Sequence, residues 1–318
     1  MKPFVNKALK QFVIIGFFIL CGINGFAQQT YVDFSVPSGV KTASFSVALS
    51  TTDPTRQIRY TTNGTMPTQQ STLYNQPITI TQTTRIIACS WKNNVADSLP
   101  SQVGYIFLDA DMSSFSSNLP LLIIENFGQG ALPKAAAMSG GDVVIKQFSV
   151  TAFYVPGSDS RTKFTNAPVL VTNSGIKTRG SSSESFAKTS IGFDSWDQQS
   201  QETEIEPLGM PASSDWVISG SRDIDNTYIR SVFMYQLSND LGRWAPHSKA
   251  VEVFINKDGG NIKKTDYQGI YYFMEKIGRG KDKVDIEKLS SDIGSKNPDI
   301  SGGYILKVDR LDPEAVSY

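Results

Sequence analysis

From Gln28 to Asn118 the chain alternates apolar with polar residues in short runs, as in Phe45-Ser46-Val47-Ala48-Leu49, and carries no long segment of 3.6-residue period. Turn signals recur every eight to twelve residues, a spacing that leaves room for strands and not for long helices, so a β-sandwich is expected. Asn63-Gly64 supplies one turn, because both residue types tolerate positive φ. This stretch holds 5 acidic and 5 basic residues in 91 positions, whereas Leu119 to Tyr318 holds 25 and 22 in 200. The doubled charge density marks a border. The serine-rich segment 108–118 is the expected linker across it, followed by a buried-strand candidate, Leu119-Pro120-Leu121-Leu122-Ile123-Ile124, and by further strands from Val143 through Phe153.

The N-terminus has the pattern of a signal peptide over residues 1–27: three lysines, a ten-residue apolar run from Phe12 to Cys21, and Gly25-Phe26-Ala27 as a small-x-small cleavage site. Ten helical residues rise about 15 Å, half of a hydrocarbon core, so the run is too short to span a membrane. Cys21 follows Leu20, which argues against lipid anchoring. Export is the expectation. The mature chain then keeps only Cys89, so no intrachain disulfide forms, and Cys89 is expected as a buried strand residue. It also carries 27 basic against 30 acidic residues, net −3, with no electrostatic reason to bind nucleic acid. The single histidine, His247, excludes metal sites that need two imidazoles. It follows Pro246 ahead of a strand, and nothing around it in the sequence offers an orienting partner, so it is read as a packing or surface residue.

The richest chemistry lies between Ile176 and Asp309. Arg179-Gly180-Ser181-Ser182-Ser183 combines a flexible turn with hydroxyls and free N–H groups suited to phosphate oxygens, and Lys188 follows at the start of a strand expected over Thr189 to Phe193. A second strand is expected at Asp215-Trp216-Val217-Ile218. Asp225 or Asn226 then caps a helix with Ile229, Val232, Phe233, Leu237 and Leu241 on one face, closed by Gly242. Arg230 sits off that stripe, either solvated or reaching back to an acidic or phosphate group. Ala250 to Asn256 and Gly269 to Met274 are strands joined through Lys257-Asp258-Gly259-Gly260-Asn261, which sets Glu275 at a strand exit beside the basic run Lys276 to Lys283.

Two sets of these residues carry family resemblances. Ile58-Arg59-Tyr60-Thr61-Thr62-Asn63-Gly64-Thr65-Met66-Pro67-Thr68, with Leu73-Tyr74-Asn75-Gln76-Pro77-Ile78 and Thr84-Arg85-Ile86-Ile87-Ala88, resembles the C-terminal module of chitobiase and β-hexosaminidase over about residues 33–107, with Asn63 where Asp is usual. That resemblance implies an immunoglobulin-like accessory domain without catalytic residues, a spacer or a polysaccharide-binding unit, spanning 28–107. Arg179-Gly180-Ser181-Ser182-Ser183 with Phe186-Ala187-Lys188, Leu208-Gly209-Met210-Pro211 with Asp215-Trp216, Ile229-Arg230, Ala245-Pro246, Gly269-Ile270-Tyr271, Glu275-Lys276-Ile277, Arg279-Gly280-Lys281-Asp282-Lys283-Val284-Asp285-Ile286 and Gly302-Gly303-Tyr304-Ile305-Leu306 together resemble the spore-coat CotH family over 119–318.

The second resemblance implies an atypical protein kinase of divergent kinase-like fold, using ATP with Mg²⁺ or Mn²⁺ to phosphorylate serine on protein targets. It makes the whole an α+β chain: an immunoglobulin-like β-sandwich, then the N-terminal part of the kinase-like domain. Carried over by position, Lys188 is a phosphate contact and Glu275 the partner of that lysine or of the metal. Arg179 and Ser182 belong to the phosphate loop, with Arg230, Lys276 and Arg279 as lesser candidates. Ser181, Ala187, Thr189 and Ser231 depart from the residues usual in the family. The family's catalytic and metal-binding aspartates fall in Asn-x-Asp and Trp-Asp-Phe-Asp segments that are not reached by Tyr318. Asp309 and Asp312 lie near that end, and Trp196-Asp197 is in the wrong context. The expectation is therefore an inactive N-terminal fragment of an exported kinase. Two other readings stay open: a non-catalytic surface or adhesion protein, and a carbohydrate-active enzyme working through paired carboxylates.

Overall fold

The computed structural model describes residues 30–134, 145–180, 183, 186–220, 225–287 and 303–304. The expected signal peptide, Ser182, Asp309 and Asp312 lie outside them. Where an α+β chain is expected, the described residues are mostly β with one α-helix.

The N-terminal unit contains β1 (Asp33–Phe34), β2 (Gly39–Lys41), β3 (Phe45–Val47), β4 (Leu49–Ser50), β5 (Gln57–Thr61), β6 (Thr72–Leu73), β7 (Ile78–Ile80), β8 (Thr84–Lys92), β9 (Val95–Ala96) and β10 (Ser101–Phe107). One sheet runs β2-β10-β8-β5-β6 with β9 on β8, and the pairs β1-β4 and β3-β7 complete a sandwich-like arrangement. Period-2 alternation sends Ile86 and Ala88 of β8, and Val103 and Tyr105 of β10, into a core shared with Val32, Val47 and Ile80. The expected turn forms between β5 and β6. Asn63 Oδ1 accepts from Thr65 N at 3.1 Å and Thr65 Oγ1 at 2.7 Å, and Gly64 takes φ +78°.

The opposite face of β10 is also buried. Ile106 packs into a second cluster with Leu121, Ile123, Val150 and Phe254 from the rest of the chain. A Cβ on Gly104 would lie 2.2 Å from the Phe127 ring and 2.7 Å from Val150, so only glycine lets the two units close up there. Residues 108–118, the expected linker, are part of this seam. Asp109 caps a 3₁₀ turn at Ala110–Ser114, Met112 is fully buried, and the Phe115 ring stands edge-on to Phe254 at 5.0 Å. The same segment is hydrogen-bonded to Ile262 through Asp109 N at 2.8 Å.

The second unit contains β11 (Ser116–Ser117), β12 (Leu121–Glu125), β13 (Gln147–Tyr154), β14 (Thr162–Lys163), β15 (Leu170–Arg179), β16 (Ser190–Trp196), β17 (Asp215–Ser219), α1 (Arg230–Asp240), β18 (Ser248–Asn256) and β19 (Tyr267–Glu275). Seven strands close a barrel in the order β12-β13-β15-β16-β17-β19-β18, antiparallel except for the parallel closing pair β12/β18, which sets Leu121 opposite Glu252 and Glu125 opposite Asn256. Leu122 and Ile124 point into the barrel while Leu121 and Ile123 point into the seam, which is why this strand is apolar throughout. Aromatic rings fill the interior: Phe273 packs edge-on to Phe153 at 5.3 Å and stacks on Trp216 at 5.1 Å. Each such buried ring contributes about 1.5–3 kcal/mol by transfer alone.

The N-cap of α1 is Ile229, which makes no side-chain cap hydrogen bond, so the expected cap at Asp225 or Asn226 does not fall at the cap position; Asp225 instead supports the helix start from four residues ahead. Asp225 Oδ1 accepts from Thr227 N at 3.0 Å and Oδ2 from Arg230 N at 2.7 Å, and Gly242 follows the helix end with φ +74°. The apolar stripe does not become core. Ile229, Phe233, Met234 and Leu241 are each more than half exposed, and no residue of α1 is buried by the described residues. Spacing fixes helicity, whereas burial depends on what packs on the stripe.

Candidate functional site

The barrel separates the candidate residues into two groups. Strand β19 pairs with β17 so that Ser219 faces Tyr272 and Trp216 faces Glu275, and β17 pairs with β16 so that Ile218 faces Ile191 and Asp215 faces Asp194. Arg179, Lys188 and Tyr271 therefore lie toward one end of the barrel, with Glu275, Lys276 and Asp215 toward the other. Tyr271 and Glu275 are four residues apart on one strand, about 13 Å.

At the first end Lys188, two residues before β16, lies in a groove that depends on two glycines. A Cβ on Gly220 would meet Lys188 O at 2.7 Å and Tyr271 Cε1 at 2.9 Å, and one on Gly269, which has φ +86°, would meet Lys188 Nζ at 3.2 Å. The ammonium stands over the Tyr271 ring at 4.3 Å and the Tyr228 ring at 5.4 Å, an arrangement worth about 0.5–2 kcal/mol. Tyr228 is itself fixed, its hydroxyl donating to Ile270 O at 2.5 Å, and burial raises its ionisation above the ordinary tyrosine range. Arg179 is exposed at the end of β15. Arg230 is mostly exposed and reaches back to Asp225, Nε to Oδ1 at 3.5 Å, so its partner is the carboxylate ahead of the helix.

At the second end Glu275 is buried, and its partner is not Lys188. Oε2 accepts from His247 N at 2.9 Å and sits 2.7 Å from His247 Nδ1, while Oε1 has no hydrogen-bond partner. This corrects the reading of His247 as a residue without an orienting group. A buried carboxylate holds the ring by Nδ1 and leaves Nε2 toward solvent, the side chain being 41 % exposed. The pair arises because Ser248 faces Met274 in the β18/β19 register, so the residues just beyond them meet. Lys276 pairs with Asp215 at 3.1 Å in solvent, Lys283 donates to Ser213 Oγ at 2.8 Å, and Arg279 is exposed. Nearby, burial raises the Asp194 carboxyl and its ion pair with Lys146 opposes that rise. Neither Lys146 nor Asp194 stood out in the sequence, since the pair spans 48 positions.

Among the described residues no group of three or more His, Cys, Asp or Glu is placed to hold a metal ion. None of their helices is long and apolar enough to cross a membrane. Cys89 is buried in β8, and burial pushes its thiol up to about 11, the inert state expected of it.

A sandwich-like module is set against a closed barrel, with a lysine bedded against two tyrosines at one barrel end, and each of the two parts matches a known family. Residues 176–317 match the family model of the CotH kinase protein, and residues 36–102 match that of the chitobiase/beta-hexosaminidase C-terminal domain. Both are the families that the motifs resemble. The CotH match begins within β15, so β12 and β13, which the barrel needs for closure, precede it. No curated protein matches the chain.

Proposed function

We propose that residues 119–318 supply the nucleotide-binding side of an exported, CotH-type atypical kinase that transfers the γ-phosphoryl group of ATP to serine on a protein substrate. The observation that carries this reading is the CotH kinase match together with the bedding of Lys188 in the Gly220–Gly269 groove. An ammonium held over two rings at 4.3 and 5.4 Å keeps its charge in place, and it suits a phosphate oxygen as a ligand. Gly180 at the end of β15 continues into the serine loop whose Ser182 lies outside the described residues.

In the reaction the serine oxygen bonds to the γ-phosphorus, the bond to the bridging oxygen breaks, ADP leaves, and the hydroxyl proton passes to a base. A divalent ion, Mg²⁺ or Mn²⁺, would neutralise charge across the phosphates. The described residues offer it no donor set, so its ligands would come from outside them. Glu275, with His247 on one oxygen, serves in this reading as a positioning residue at the far end of the barrel. The accessory module favours a second reading, a surface protein that binds polysaccharide through residues 36–102.

Transfer of labelled phosphate from ATP, with Mg²⁺ or Mn²⁺, decides between them. In a phosphotransfer-competent protein containing these residues, Lys188→Ala lowers the rate by on the order of 10², the cost of one preorganised electrostatic donor. Equal rates in the variant and wild type remove Lys188 from the site, and absence of transfer alongside retention on polysaccharide supports the surface-protein reading.

A further inference from the structure

We propose that the cleft at the seam between the sandwich and the barrel is an oxyanion-binding site anchored by Arg85, taking a sulfate, phosphate or carboxylate group. Arg85 lies on the face of β8 that is turned toward the barrel. Its guanidinium covers the Phe148 ring at 4.3 Å and gives Nε (3.1 Å) and Nη2 (2.6 Å) to Gln102 Oε1. Among the described residues it has no carboxylate partner, and Nη1 faces the turn at Gly64, 3.7 Å from where a Cβ would stand. Burial of that unneutralised charge pushes the group down to about 10. A guanidinium held this way is under-solvated, and an anion at its open edge would restore what burial removed.

The walls suit an anion. Thr62, Asn63, Gly64, Thr83, Thr84 and Phe127 line one side and Gly259-Gly260 the other, around about 110 Å³. Gly259 and Gly260 have consecutive φ values of +81° and +80°, and the N–H groups of Gly64, Gly259 and Gly260 donate to no acceptor among the described residues. Unpaired backbone donors beside a guanidinium are groups that an anion can satisfy. No carboxylate is among the residues that line the cleft, and Asp258, next to Gly259 in the chain, pairs with Lys263 Nζ at 3.0 Å. The space holds several waters and so admits a small oxyanion. Asn63 matters because an aspartate there would place a fixed negative charge on the wall, in competition with a ligand.

The group can come from a free ion or from an acidic polysaccharide, and two assays separate them. Thermal unfolding in sodium sulfate against sodium chloride at matched ionic strength is expected to show a saturable rise for the wild type. In Asn63→Asp, whose Oδ1 keeps both Thr65 hydrogen bonds, the apparent affinity falls at least tenfold. Arg85→Gln loses the rise; should that variant fail to fold, Asn63→Asp carries the test alone. Affinity electrophoresis in dextran sulfate or polygalacturonate, with neutral dextran as control, identifies the source. Retention lost in Asn63→Asp assigns the group to a polymer, and a sulfate response without retention assigns a free ion. Equal sulfate responses in wild type and Asn63→Asp would reveal only general salting-out and overturn the proposal, as would no response in either assay.

Discussion

Glu125 closes β12 inside the seam with no exposed surface, and replacing it with glutamine changes its charge while nearly preserving its shape. One oxygen accepts from Phe127 N at 2.6 Å and the other has no partner. Burial pushes the carboxyl from its ordinary 4.5 up to about 8; the Phe127 N–H and Asn256 amide pull it back, and Asp266 and Asp258 push it further. The native group therefore holds a proton at neutral pH that the unfolded chain releases. Stability is fully present below pH 4.5 and falls as pH rises through the window from 4.5 to about 8. With those two values the loss reaches about 3 kcal/mol at pH 7 and nearly 5 kcal/mol by pH 9, set against a typical total of about 5–15 kcal/mol. Urea unfolding of wild type and Glu125→Gln from pH 5 to pH 9 measures the difference directly. The variant is expected to gain on the wild type by about 4 kcal/mol across that range, because glutamine has no proton to lose. A difference that stays flat with pH would mean that the native carboxyl is ionised and solvated, and the burial argument would fail.

Steric limits along the seam face give a second test: Gly104→Ala, and Gly175→Ala, where a Cβ would lie 2.0 Å from Trp196 Cζ2, are each expected to lose about 1–3 kcal/mol by overpacking. Gly280→Ala, which meets nothing closer than 3.8 Å, is the control, and unchanged urea midpoints for the first two would refute the packing. Thiol labelling at pH 8 followed by peptide mass mapping should leave Cys89 unmodified until denaturant is added, since its thiol titrates near 11; native-state labelling would contradict its burial.

How much was legible in the sequence depends on whether the decisive partner is local. The run Leu121 to Ile124 is apolar because both its faces are covered, and an apolar run is visible without knowing by what. Asn63-Gly64 is a turn by its own chemistry, and Asp225 accepts the first N–H of α1, from Arg230, with its own side chain. By contrast Ser101-Gln102-Val103-Gly104 hides a strand buried on both faces, since its second face is covered by Phe127 and Val150 through a glycine contact that no spacing rule anticipates. The segment 108–118 looked like a tether for the same reason: Met112 and Phe115 among serines are too few to signal core, yet both are anchored by aromatic residues more than 40 positions away.

The site divides along the same line. Motif order placed Lys188 and Glu275 in one reading because order along the chain carries no distance, and only the β17/β19 register shows the lysine's tyrosine bed to be four residues along the strand from the glutamate. His247 was within reach. Once Ala250–Asn256 and Gly269–Met274 are taken as a hairpin, extending their antiparallel register past Ser248 and Met274 brings position 247 against 275, and a histidine meeting a strand-end carboxylate is a chemical pair whatever surrounds it. Register carried outward from a hairpin is thus the sequence-level tool for finding such pairs. It cannot reach Lys146 and Asp194 from one hairpin, because their meeting needs two registers in succession, Phe148 against Gly175 and Gly175 against Asp194, across β13, β15 and β16.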